Sequence, residues 1–292
     1  MPDSIVTILD VLIGGLLLGG LYALIAMGFS LQYGVARVLN IAHGEFIMIS
    51  AFLTWTLYTY AHLNPLLSLI IVGPFVFVLG YILQRTLFTR LRKSSPNQGA
   101  FEASSMLATF GLMFILQNAA LLIWGGNYHA YSYLATPVSL GGAIFPANSL
   151  LALGVAIIIG IIFYIFIART RMGKAIRAAA QDSTVAGLMG VNINQMLAIC
   201  FGLGALMASC AGLLYSMCYS VYATMGLEQT LVAIIVVVLG GLGSITGSFI
   251  GGFLLGIIGN IVTYYNQGLT VPTYYLIFIV LLMIRPKGIM GK

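Results

Sequence analysis

The run Leu231–Tyr265, LVAIIVVVLGGLGSITGSFIGGFLLGIIGNIVTYY, carries no charged residue. It is roughly twice the ~20 apolar residues needed for one bilayer crossing. At its middle lies Gly240-Gly241-Leu242-Gly243-Ser244-Ile245-Thr246-Gly247. Glycine loosens a helix, and its backbone can be satisfied by neighbours inside a bundle, so the pattern predicts a break here, giving two spans or two half-helices. Working outward, apolar stretches also cover 5–29, 41–61, 66–88, 104–124, 147–168 and 195–222, each near the length of one crossing. A shorter stretch, 271–284, stops at Arg285-Pro286. The count is eight or nine crossings, and the fold class is an all-α polytopic transmembrane bundle, a single domain over 1–292.

Composition supports this reading. Hydrophobic residues make up 61% of the 292 and charged residues 6%, with mean hydropathy +1.07. Six acids and twelve bases cannot solvate the exterior of a water-soluble fold, which excludes a cytosolic enzyme, a secreted disulfide module and a disordered regulator. The formal charge of +6 is spread in short runs between apolar stretches and is no nucleic-acid signal. Cys200, Cys210 and Cys218 share one apolar region in no metal-binding pattern and read as small packing residues. Met1-Pro2-Asp3-Ser4 lacks a basic leader, so the first apolar segment is expected to remain as a helix.

Lysine and arginine set the expected orientation. They collect at Arg85–Lys93, at Arg169–Arg177 and at Arg285, Lys287 and Lys292, whereas the connections near 62–65, 125–146, 223–230 and 266–270 have none. The basic groups, the C-terminus among them, are expected in the cytoplasm. Nine crossings then put the N-terminus outside and Arg37 inside.

Glycine is abundant, and Gly15/Gly19/Ala23 and Gly243/Gly247/Gly251 repeat at spacing four, which lets helices cross closely in lipid. Gly240, Gly241, Gly243, Ser244, Gly247 and Gly251 are the expected packing or hinge positions. Packing within the subunit is the simpler reading; an interface sliding against a second membrane subunit is the functional one.

Chemistry is sparse. There is no Gly-x-x-x-x-Gly-Lys-Ser/Thr loop, no metal-ligand cluster and no paired acids, so neither a catalytic nor a metal site is expected. Ser30, in Gly28-Phe29-Ser30, lacks an identifiable base. One polar segment stands out: Arg37, Asn40, His43 and Glu45 fall within Tyr33–Phe46, opening the second apolar stretch. Ionisable groups at membrane depth are costly and face a bundle interior or a wet cavity. Two readings stand side by side: a polar lining or gate of a translocation path, or an interhelical clamp in which Arg37 or donors of another helix satisfy Glu45. Gly44 removes a side chain between His43 and Glu45 and invites a close backbone.

The connection Thr170–Asn192 is the second informative segment. Met172, Ala175, Ile176 and Ala179 fall on one helical face. Asp182 or Ser183 can cap a second short helix running to Met189, ended by Gly190. The reading is two small helices with a bend, either a solvated surface element or a docking element for an inner partner whose contact surface is its small residues. His62, His129, Glu228 and the tyrosines 128, 131 and 133 read as ordinary interfacial residues.

Four motifs together carry a family resemblance: Tyr33–Glu45 (YGVARVLNIAHGE), Gly173–Asn192 (GKAIRAAAQDSTVAGLMGVN), Val238–Gly251 (VLGGLGSITGSFIG) and the ending Arg285-Pro286-Lys287-Gly288. Thr109-Phe110-Gly111 through Gln117-Asn118 fits as well. The chain resembles the membrane permeases of branched-chain amino-acid ABC transporters, more closely the LivH-type half, over nearly its whole length. It departs at Ile41, where many members have Phe, and at Met225-Gly226, where Pro is common. The resemblance implies a non-enzymatic subunit of the bacterial inner membrane, without a cofactor of its own. It implies a second homologous permease, two cytoplasmic ATP-binding subunits that hold the ATP, an external solute-binding protein, surrounding lipid, and no nucleic acid. It also implies transport of branched-chain or other hydrophobic amino acids, with urea or short amides as substrates of close relatives. The ATPase-contacting region corresponds to 173–192, with Gly173, Lys174, Arg177, Ala178, Ala179, Asp182, Ala186, Gly187 and Gly190 as the expected coupling residues. The competing reading is a stand-alone secondary transporter or channel using His43 and Glu45 as its ion site.

Overall fold

The computed structural model describes residues 3–285 and 288–290. Its helices are α1 (Asp3–Ala36), α2 (His43–Ala61), α3 (Pro65–Leu83) continuing through a π turn (Gln84–Phe88) into α4 (Thr89–Ser94), and α5 (Gln98–Trp124). A hairpin of β1 (Pro137–Leu140) and β2 (Ala143–Pro146) follows, then α6 (Ala147–Arg169), α7 (Arg171–Gln181), α8 (Ser183–Leu188) and α9 (Ile193–Cys218). The chain continues with α10 (Met225–Gly240), α11 (Ile245–Tyr265), a 3₁₀ turn (Gln267–Leu269) and α12 (Thr270–Ile284). Among the described residues, seven helices are long and apolar enough to cross a bilayer. The 19-residue α2 and the 16-residue α10 complete the bundle. This is an all-α polytopic membrane protein.

The predicted break is there: α10 ends at Gly240, α11 begins at Ile245, and Gly241 (φ 107°) and Gly243 (φ 82°) adopt conformations that side chains disfavour. Ser244 caps α11 by accepting from the Gly247 amide at 3.1 Å. The tail returns to close the other side of the break, Ile289 and Met290 amides donating to the Leu239 and Gly240 carbonyls at 2.9 and 3.1 Å. Those are terminal carbonyls of α10, which a helix end otherwise leaves unpaired. Pro286, Lys287 and Lys292 of the C-terminal basic group, like Met1 and Pro2, lie outside the described residues.

α9 is the most buried span and α12 the least. α1 packs along both α9 and α11, and small residues set the distance. β-carbons built on Gly15 and Gly19 would press on the backbones of Ile257 and Phe253, and one on Gly252 on the backbone of Ala23. Outward faces are apolar, with Ile115 67% and Leu122 88% exposed on α5, as a lipid-facing surface must be.

Candidate functional site

The chain leaves α1 at Ala36, turns at Arg37 (φ 54°), and re-enters the bundle as an irregular segment before α2 starts at His43. Two contacts fix how deep that start lies. His43 Nε2 stands 3.2 Å from the Ile25 carbonyl, a point about 16 Å from the end of α1 at 1.5 Å per residue. The Ile41 amide donates to Thr109 Oγ1 at 3.1 Å, again about 16 Å from the start of α5. α2 is therefore a discontinuous helix whose N-terminus sits inside the bundle.

α10 begins at the same place. The Gly44 amide donates to Thr230 Oγ1 at 2.7 Å, and that hydroxyl lies 2.9 Å from the Ile41 carbonyl as its acceptor. A β-carbon on Gly44 would overlap the Gly226 carbonyl oxygen, so the two first turns meet backbone to backbone. Neither flanking residue caps its own helix, Ala42 having no polar side chain and Thr224 making no capping bond. The first-turn amides of α2 are held instead by the Asn40 carbonyl (His43, 3.1 Å), Thr230 Oγ1 (Gly44) and the Ala42 carbonyl (Glu45, 3.1 Å), and the Met225 amide of α10 by the Tyr222 carbonyl at 3.2 Å.

Asn40 and His43 belong to one hydrogen-bonded cluster. Gln32 Oε1 accepts from Asn40 Nδ2 at 3.3 Å and faces His43 Nδ1 at 3.2 Å, while Gln32 Nε2 donates to the Phe201 carbonyl at 3.1 Å. Both His43 ring nitrogens face acceptors, and a neutral imidazole has one N–H, so the tautomer decides which contact is made. Asn40 Oδ1 accepts from the Ala42 amide at 3.1 Å.

Glu45 is different. It is 1% exposed, and among the described residues neither carboxylate oxygen has a hydrogen-bond partner. Its carboxyl group lies against Gly226, where a β-carbon would stand 2.7 Å from Oε2 and closer to Oε1. The expected clamp on Glu45 through Arg37 is overturned. Arg37 is exposed, its guanidinium 5.9 Å above the Tyr33 ring, and it lines a cleft of about 490 Å³ with Arg92, Gln98, Glu102 and Asp182. The left-handed turn at Arg37 aims its side chain away from the segment that carries Glu45 inward.

Three residues of this neighbourhood had no sequence signal: Gln32 and Thr230 lie just outside the apolar runs 5–29 and 231–265, and Arg92 is one of a basic group. Arg92 donates to the Ala36 carbonyl at 2.6 Å and stacks on Phe101 at 4.6 Å, tying the end of α1 to α5.

The connection 170–192 forms two short helices. Thr170 caps α7, accepting from the Gly173 amide at 3.0 Å. Asp182 caps α8, accepting from Thr184 and Val185 at 2.8 and 3.0 Å, and Gly190 (φ 86°) follows its end. Gly173, Ile176 and Ala179 are buried against the bundle, and Ala178 is half-buried. Met172, expected on that face, is exposed, because Gly173 sits against the carbonyls of Phe166 and Ile167 and carries the contact instead. Arg177 donates to the Ala168 carbonyl at 3.1 Å, and Lys174 is exposed. On α8, Ala186 faces inward, Gly187 is exposed, and Val185 (54%), Leu188 (84%) and Met189 (81%) project outward. These large apolar tips, rather than small residues, form the protruding surface; as three apolar letters in a short segment they gave no period to detect.

At the opposite end, the His129 and Val221 amides each donate to the other's carbonyl at 2.8 and 2.7 Å, pinning the segment that leads into α10. His129 stacks near Trp55 (4.3 Å), and Phe52 lies on Trp124 (4.8 Å). Tyr222 donates to Glu228 at 2.8 Å, and burial together with that carboxylate holds its phenol above the usual range. Glu228 lies within the first turn of α10 rather than before it.

A long bundle with two discontinuous helices meeting at depth and a capped helical elbow at its basic end defines a polytopic membrane permease. The chain belongs to the family of branched-chain amino acid transport system permease components, whose model matches residues 11–285. It is 32% identical to the high-affinity branched-chain amino acid transport system permease protein BraD of Pseudomonas aeruginosa, over 100% of this chain and 98% of that protein. It is 28% identical to the corresponding LivH protein of Escherichia coli K12, over 100% and 98%. A probable LivH of Methanocaldococcus jannaschii is 26% identical over 96% and 92%. Among solved structures, PsaBC from Streptococcus pneumoniae in complex with Fab shares the fold, with TM-score 0.53 at 15% identity over 98% and 97% of the two chains.

Proposed function

We propose that this chain is the membrane-spanning subunit of an ATP-driven importer for branched-chain or other hydrophobic amino acids, seated in the bacterial inner membrane. The full-length match to permeases named for that transport carries the reading. The basic end, with Arg85, Arg90, Arg92, Arg169, Arg171, Lys174 and Arg177, faces the cytoplasm by the distribution of positive charge, and the N-terminus faces outside. Two ATP-binding subunits supply the nucleotide site, a second homologous permease completes the path, and an external binding protein delivers solute. This chain holds no cofactor and performs no chemistry of its own.

The α7–α8 elbow is the grip of the motor. Exposed Leu188 and Met189 at a water-facing end have the character of an interface core, and the buried Ile176 and Ala179 transmit displacement to α1 and α9. The test is reconstitution with the ATPase, partner permease and binding protein in vesicles. ATP-dependent leucine, isoleucine and valine uptake is expected, with urea and short amides run alongside. Accumulation of solute against a gradient by the purified chain alone would overturn it and restore the ion-coupled reading.

A further inference from the structure

We infer that the junction between the first turns of α2 and α10 receives the main-chain zwitterion of the transported amino acid, Glu45 taking its ammonium and the N-terminal turns of the two helices its carboxylate. This deepens the transport reading above and rests on it.

Both halves of the junction are built for charge. α2 and α10 run 19 and 16 residues, long enough to present a positive N-terminal end. The first-turn amides of α2 are held in this closed state by the Asn40 and Ala42 carbonyls and by Thr230 Oγ1, and parting the helices releases the last of these bonds. Such ends bind anions, and discontinuous helices meeting at bilayer depth are where transporters hold the charged groups of their substrates. Between these ends lies Glu45, buried and with both oxygens unpartnered. Among the described residues it is the one buried acid, and no lysine or arginine is buried with it. A carboxyl group sealed at that depth ionises only opposite a cation. Among the described residues no lysine or arginine reaches it, and the buried His43 ring faces Gln32 and the Ile25 carbonyl instead; an incoming amino acid brings that cation attached to a carboxylate.

The junction is closed in this structure, and its closure is thin. The Thr230 hydroxyl makes the side-chain bonds across it, to the Gly44 amide and the Ile41 carbonyl. Gly44 and Gly226 put no side chain between the two backbones. The segment ahead of α10 is pinned at its outer end by the Val221–His129 pair. A tilt of α10 about that point separates Gly226 from Glu45 and frees the Gly44 amide from Thr230, opening Glu45 and both first turns to one ligand.

The test uses the complete importer in vesicles, with binding protein and ATP. Dicyclohexylcarbodiimide, an apolar reagent for buried carboxyls, is followed at Glu45 by peptide mass spectrometry of the wild-type permease. Leucine is expected to slow modification about tenfold, whereas 4-methylpentanoate, lacking the ammonium, and isopentylamine, lacking the carboxylate, slow it less than about twofold. Modification indifferent to leucine, or slowed equally by 4-methylpentanoate, overturns the proposal; the first result leaves Glu45 a proton-bearing packing group. In parallel, Glu45→Gln is expected to raise the leucine KM about tenfold, with Glu45→Asp recovering part of it. An unchanged KM in the glutamine variant also overturns it. Wild-type vesicles that take up no amino acid defeat the transport reading instead, and that result is read before any labelling.

Discussion

The α2–α10 junction and the α7–α8 elbow invert each other's chemistry. At the junction, polar groups are sealed in an apolar interior: Glu45 is 1% exposed and unpartnered, while Asn40, His43 and Gln32 satisfy one another. At the elbow, apolar groups stand in the open, with Leu188 and Met189 more than four-fifths exposed on a helix of six residues. Each place carries a group in the wrong solvent: a carboxyl group at the junction, large apolar side chains at the elbow. The difference also separates fragility from tolerance: the junction is made of backbone contact, where an added methyl has nowhere to go, whereas the elbow's outward residues can change without disturbing the bundle.

The strongest way to break this contrast is to put a side chain between the two first turns. Gly44→Ala is expected to lower stability by about 3 kcal/mol, since its β-carbon overlaps the Gly226 carbonyl oxygen and crowds Thr230 Oγ1. Loss of the monodisperse peak on heating in detergent reads it. Next, Gln32→Ala strands Asn40 Nδ2 and removes the neighbour of His43 Nδ1 and the tie to the Phe201 carbonyl, and is expected to cost about 2 kcal/mol by the same measurement. Leu188→Asp with Met189→Asp goes the other way: stability within about 0.5 kcal/mol of wild type, but co-purified ATPase reduced about tenfold. A normal yield of ATPase with that pair would remove the elbow from the motor interface. Arg92→Ala, losing the bond to Ala36 and the stack on Phe101, should cost about 1–2 kcal/mol. Smallest is Asp182→Ala at about 1 kcal/mol, through loss of the cap on α8, seen as faster amide exchange in 183–188.

What could be read in advance differs between the two regions for a physical reason. The elbow is local. Asp182 and Gly190 stand within a turn of α8, so capping chemistry announced that helix, and an apolar face announced α7; Met172 on that face and the small residues as the protruding surface were misassigned. The junction is non-local. His43 and Glu45 were visible as polar letters in an apolar stretch, but Gln32, Thr230 and Gly226 became their neighbours through the packing of helices distant in the chain. Arg37 shows the cost of judging by proximity along the chain: eight positions from Glu45, it turns outward and pairs its ring contact with Tyr33 instead.

By itself the sequence determined the solvent, the helical class, the break at 241–244 and the positions of the two short helices α7 and α8, because bilayer thickness, glycine and capping side chains act over a few residues. The tertiary structure alone decided that α2 and α10 begin inside the bundle, facing each other across two glycines, with a carboxyl group left between them. Depth and apposition depend on where distant helices come to rest against one another, and no local period records that.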